Sequence, residues 1–181
     1  ITSLKGGVGK SAIALNLAAY TGSLYITNDL TAPAHHDVVQ IESDKKRIPL
    51  SLTQEKNAVF DFGALSTYLD PKVSQVLNLC DVVIIPTRPD PRSISATLKT
   101  YELVHEAGKP IIIIINNFRD RKKHDAARDQ LKSALGRIPI LSIRETTLFD
   151  RISKDGIDWF LNVHNQKGEY QLRSLRLSPV F

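Results

Sequence analysis

Lys10 and Ser11 close a glycine loop, Lys5-Gly6-Gly7-Val8-Gly9-Lys10-Ser11, set between a β-branched pair, Ile1-Thr2, and an alanine-rich stretch. Residues of these types at this spacing hold phosphate. Gly6, Gly7 and Gly9 permit positive φ and carry no Cβ, so successive backbone N–H groups can turn inward around anionic oxygens at the positive end of a following helix. Lys10 would reach the terminal phosphates of a nucleotide and the Ser11 hydroxyl would ligate Mg²⁺, with Val8 and Ala12 adding backbone to the same cradle. The strict phosphate-loop pattern wants glycine where Leu4 stands, and a second lysine, Lys5, directly precedes the glycines. Taken alone, Lys5 is one more solvated lysine.

A phosphate-bound Mg²⁺ takes oxygen ligands in octahedral geometry and needs an acidic partner at the end of a neighbouring strand. Asp61, closing Ala58-Val59-Phe60, stands in such a place, although strand-ending aspartates also cap turns. Asn116 and Asn117 follow five consecutive isoleucines. An amide there can donate to and accept from the edge of adenine, or it can simply end the strand in a turn. His35-His36-Asp37 lies in an irregular segment without the i, i+4 spacing of a zinc pair, and reads as a polar loop. Cys80 is the single cysteine, which excludes an internal disulfide and any Cys-x-x-Cys framework in the chain.

These residues need a scaffold that brings strand ends together. Short apolar runs at 1–3, 24–27, 58–61, 82–86, 111–115 and 138–142 alternate with helical patterns at 11–20, 70–80, 91–107, 121–135, 146–154 and 157–165. Such alternation calls for crossover helices and a parallel sheet. A run of five isoleucines has no wet face, so that strand is covered on both sides. The expected architecture is α/β: a three-layer α/β/α domain with a mostly parallel central sheet, spanning 1–181. Residues 30–52 are the least readable. At 42% hydrophobic and 24% charged, 181 residues suit one domain with its own core. No apolar run is long enough to span a bilayer and no leader pattern opens the sequence, so the expectation is a cytoplasmic protein. A net charge of +5 permits a polyanion partner without requiring one.

The glycine box resembles the deviant Walker A motif of the ParA/MinD family of ATPases, and the resemblance extends to Asp61, to Cys80-Asp81-Val82-Val83-Ile84-Ile85-Pro86 and to Ile138-Pro139. It implies a P-loop ATPase with ATP or ADP and Mg²⁺ as cofactors. Lys5 would then cross a nucleotide-sandwich dimer to touch the partner's phosphates, and Asp61 would be the switch II aspartate, followed here by Phe62-Gly63-Ala64 where the family commonly has prolines. In relatives the strand before Asp29 ends in Asp-x-Asp, whose second member orients the attacking water and helps organise the metal. Asp29 takes that second place and Thr27 the first. Lys5, Lys10, Asp29 and Asp61 are therefore the catalytic candidates, and Ser11, Asp29 and Asp61 the metal candidates.

The short partition type of this family forms an ATP-dependent homodimer, binds nonspecific DNA on the nucleoid and is stimulated to hydrolyse ATP by a centromere-binding adaptor during plasmid or chromosome partition. The resemblance carries these expectations over, with Arg144, Arg173 and Arg176 as DNA contacts. Arg119, Arg121, Lys122 and Lys123 form a further basic cluster, any one of which a solvated helix face would explain. Two other readings stay open. One is a MinD-like positioning ATPase at a membrane, for which the tail at 172–177 is too short and aromatic-poor. The other is a nucleotide-gated DNA-binding scaffold with little hydrolysis, motivated by Thr27. The lone Cys80 argues against a reductase-type relative that shares a cluster.

Overall fold

A computed structural model describes residues 1–29, 32, 37–41, 47–55, 57–62 and 71–146. The helices expected at 146–154 and 157–165, the His35-His36 pair, Arg173 and Arg176 lie outside the described residues. The chain runs α1 Lys10–Thr21, β1 Leu24–Thr27, β2 Val38–Gln40, α2 Leu50–Thr53, β3 Ala58–Asp61, α3 Pro71–Leu79, β4 Val83–Thr87, α4 Pro91–Val104, a 3₁₀ turn His105–Ala107, β5 Ile111–Phe118, α5 Arg121–Leu135 and β6 Ile140–Arg144.

Every strand pair is parallel, in two ordered triplets, β2-β1-β3 and β4-β5-β6. Residues 1–3 join them. The backbone nitrogen of Ile1 donates to the Phe60 carbonyl of β3 at 2.6 Å, and that of Thr2 donates to the Ile84 carbonyl of β4 at 3.0 Å. Successive N–H groups pointing to opposite neighbours is what a central strand does, so this segment occupies the middle of the sheet. The glycine loop leaves from its carboxyl end.

Alternation along the strands separates two faces. Ile26, Val83, Ile85, Ile113 and Ile115 pack with Val73, Val76 and Leu77 of α3, Ile94 and Val104 of α4, and Ala127 and Leu131 of α5. Tyr25, one residue before Ile26 and thus on the opposite face, packs against Ala14, Leu15 and Ala18 of α1. Helices on both faces give the expected α/β/α layering, and both faces of the isoleucine run are covered: Ile113 and Ile115 are fully buried and Ile114 is 7% exposed.

The helix boundaries follow their caps. The Asp90 side chain accepts from the Ser93 amide to start α4, with Pro91 in the first turn, and the Asp120 side chain accepts from the Lys122 and Lys123 amides to start α5. The left-handed Gly108 closes the 3₁₀ turn after α4. Several elements depart from the sequence expectation: α2 is not among the expected helices, and β4 runs one residue later than 82–86. β2 is absent from that expectation as well; its three residues are too few to show a period amid prolines and charge. β6 begins at Ile140 rather than Ile138, and β5 runs three residues beyond the isoleucines to include Asn116 and Asn117. A register shift between Asn116 and Phe118 marks a bulge at Asn117, whose φ of 56° is a left-handed conformation that asparagine tolerates.

Candidate phosphate-binding site

Parallel pairing puts Thr27 level with Asp61 and Thr87 level with Ile115. The glycine loop, Asp29, Asp61, Asp90, Asn116, Asn117 and Arg144 therefore fall on one edge, at the carboxyl ends of the strands, where open α/β sheets bind ligands.

Gly7 and Gly9 use the freedom that glycine gives, with φ of 73° and 86°; Gly6 does not. A Cβ on Gly6 or Gly7 would meet nothing within 4 Å, so this wall of the loop faces open space, whereas a Cβ on Gly9 would run into the amide nitrogen of Asn116. Gly9 is also the N-cap of α1, which has no side-chain cap and no acidic residue in its first turn. The unpaired N–H groups and the positive end of the helix dipole are thus directed into the loop. Three contacts hold it: the Leu4 amide donates to Thr100 Oγ1 at 3.0 Å, the Lys5 amide donates to Ser3 Oγ at 3.2 Å, and Asn116 Nδ2 donates to the buried Val8 carbonyl at 3.0 Å.

Asp61 is 1% exposed. Tyr25 Oη donates to its Oδ2 at 2.8 Å, and Lys10 Nζ stands 3.9 Å from its Oδ1. That Oδ1 is buried with no hydrogen-bond partner. Burial foremost, then the negative charge of Asp61 and the hydrogen bond to it, push the Tyr25 phenol above its ordinary range; the Ser11 and Thr27 hydroxyls also lie against it and work the other way. Tyr25 therefore stays protonated and acts as a donor. On the neighbouring turn, Thr27 Oγ1 accepts from the Asp29 amide at 3.0 Å, so threonine at this position shapes the turn that presents Asp29.

Lys5 lies beside α4. Burial works against ionisation of Asp90, but the hydroxyl and amide of Ser93 and the charges of Lys5 and Arg88 hold its carboxyl below the usual range. Asn116 is 4% exposed, and its amide nitrogen is committed to the loop wall instead of standing free at a strand end. Asn117 is half-buried at the bulge. Within the basic cluster, Arg119 is paired with Glu145 and Arg121 lies 3.8 Å from Asp125, while Lys122, Lys123 and Arg144 are exposed. Sequence reasoning missed Tyr25 and Thr100. Strand alternation carried a signal for Tyr25, which shares a face with Thr27; Thr100 carried none.

Among the described residues no group of three His, Cys, Asp or Glu side chains could hold a metal alone. A cation here needs phosphate oxygens as well, as Mg²⁺ at nucleotide sites does. The residues fit that arrangement: an open glycine wall, a helix N-terminus, Lys10, the Ser11 hydroxyl and the orphaned buried oxygen of Asp61.

Among solved structures, the chain resembles apo McdA from Cyanothece (14% identity, 92% of this chain and 93% of that chain, TM-score 0.65). It also resembles the cell division ATPase MinD from Pyrococcus furiosus (16% identity, 98% and 92%, TM-score 0.61). A third likeness is to a plasmid partition protein from Borrelia burgdorferi B31 bound to AMPPNP (18% identity, 92% and 97%, TM-score 0.57). At these identities the likeness is one of fold. No curated protein matches the sequence. The pattern of the CobQ/CobB/MinD/ParA nucleotide binding domain matches residues 1–159, and the chain belongs to that family.

Proposed function

We propose that this protein is a ParA-type ATPase that dimerises on ATP, binds DNA without sequence preference and takes part in plasmid or chromosome partition, with hydrolysis stimulated by a centromere-binding adaptor. The observation that carries the nucleotide chemistry is the buried Asp61, with one oxygen bonded to Tyr25 and the other unpartnered toward Lys10. Ser11, Asp29 and Asp61 would hold Mg²⁺, which when bound neutralises phosphate charge. Lys10 binds the terminal phosphates, Asn117 meets the base with Asn116 behind it, Asp29 orients the attacking water, and Lys5 acts across the dimer. The AMPPNP bound to the Borrelia partition protein and the ATP in a Cyanothece McdA complex support ATP as the nucleotide. For DNA, the exposed Arg144 together with Arg173 and Arg176 are the proposed contacts, since Arg119 and Arg121 are matched to carboxylates. Among the described residues no helix is long and apolar enough to cross a membrane. Thr27 in place of an acidic residue favours a second reading, a nucleotide-gated scaffold that hydrolyses little; phosphate release followed over hours separates the two.

Lys5→Ala is the test. ADP binding should survive, while ATP-dependent dimerisation in light scattering and ATP-dependent DNA binding are lost, and stimulated hydrolysis falls by about 10³-fold or more, as when an arginine finger is removed. In the unsubstituted protein, log affinity for DNA should fall with log salt with a slope of about −0.9 per phosphate neutralised. An ATP-dependent dimer that persists in Lys5→Ala would make Lys5 a surface residue, and equal DNA binding with ADP and ATP would end the partition reading.

A further inference from the structure

β1 alternates, so Tyr25 and Thr27 share one face of the sheet. The register pairs Tyr25 with Val59 and Thr27 with Asp61, which makes Asp61 the diagonal neighbour of Tyr25, within reach of a long aromatic side chain. The Tyr25 ring is 3% exposed and wedged against Ala14, Leu15 and Ala18 of α1. That same helix opens with Lys10 and Ser11, so the phenol is fixed relative to both phosphate-loop side chains. An ionised carboxylate has several acceptor positions on two oxygens and swings freely unless something selects among them. Here one oxygen is taken by the phenol, a strong charge-assisted bond, and the other is left buried, unpartnered and nearest to Lys10. Thr27, directly across from Asp61, brings no charge; its hydroxyl accepts the Asp29 amide and lies against the Tyr25 phenol.

We propose that Tyr25 is the positioning residue of this site, its hydroxyl clamping Asp61 Oδ2 so that Oδ1 alone is presented to the Mg²⁺ of a bound nucleotide. The inference rests on the reading of Asp61 given above. Partners of this kind, one bond removed from a metal, change metal affinity or activity by about 10- to 100-fold when lost.

The experiment compares Tyr25→Phe, which keeps the ring against α1 and removes the hydroxyl, with Asp61→Asn. ADP affinity is measured by calorimetry in EDTA and across a Mg²⁺ titration, with a thermal melt of each variant to confirm folding. For Tyr25→Phe, ADP affinity in EDTA should be unchanged and the Mg²⁺ concentration that half-saturates its effect should rise about 10- to 100-fold; Asp61→Asn should show at least as large a rise. If Tyr25→Phe matches the unsubstituted protein while Asp61→Asn shifts, the positioning role is overturned and the site stands. If neither moves, the assignment of Asp61 to the metal is itself overturned. A Tyr25→Phe protein that loses ADP affinity equally with and without Mg²⁺ overturns the proposal in favour of a packing role.

Discussion

Lys10→Ala is expected to weaken ADP and ATP binding by about 100-fold or more, the loss of one or two hydrogen bonds to a charged group at about 1.5–3 kcal/mol each. Among the described residues of the loop the other cation is Lys5, which lies by Asp90 at the start of α4 and does not replace an ammonium beside Asp61. The substitution also acts on the free protein. The Lys10 and Asp61 side chains are 12% and 2% exposed, and removing the cation leaves a buried carboxylate with Tyr25 alone. Truncating one member of a buried pair is costly, but at 3.9 Å without a hydrogen bond the expected loss is about 1–3 kcal/mol. Lys10→Met, which retains the apolar stem, should lose binding to the same degree and stability to a smaller one. Calorimetry with ADP and urea unfolding read the two effects separately; unaltered ADP affinity in Lys10→Ala would remove the phosphate assignment.

Gly9→Ala is the second large effect, and its origin is steric. The residue sits at φ 86° and a methyl group would be driven into the Asn116 amide. The left-handed backbone costs about 1–2 kcal/mol for a residue with a Cβ. Displacing Asn116 adds the loss of its bond to Val8, about 1 kcal/mol or more for a buried group. A destabilisation of about 2–4 kcal/mol is expected, with nucleotide binding lost as the loop wall moves. Gly9→Ala combined with Asn116→Ala should be less destabilised than the two single changes predict, because the clash disappears and the bond to Val8 is lost once instead of being counted in both. Gly6→Ala gives the contrast. Its φ is not positive and its Cβ would meet nothing within 4 Å, so the fold should hold while phosphate binding weakens. Additive energies for Gly9 and Asn116 in urea unfolding would show that the two do not touch.

What could be read from the sequence was what is local. The loop announced itself because glycines, Lys10 and Ser11 do their work within seven residues, and the buried sheet was legible in the isoleucine run because no half-wet strand tolerates it. β2 was invisible, since its three residues gain their strand character only by pairing with β1. Tyr25 was hidden for the same kind of reason: its partner lies 36 residues away, and only the register of β1 on β3 brings them together. Asn116 read either as a contact to the edge of adenine or as the end of a strand. It lies instead inside β5, turned under the loop, a role set by a contact 108 residues distant in sequence. Asp29 and Asp61 were placed by chemistry and resemblance; the buried Asp61 oxygen that lacks a hydrogen bond follows from the packing of β1 on β3, which no local pattern shows.

The seam through the middle of the sheet has a mechanical consequence. Residues 1–3 lie between β3 on one side and β4 on the other, and the phosphate loop begins where they end. Asp29 and Asp61 belong to one half and Asn116 and Asn117 to the other. A ligand lying along the edge would therefore touch both strand triplets at once, bridging the segment that separates them.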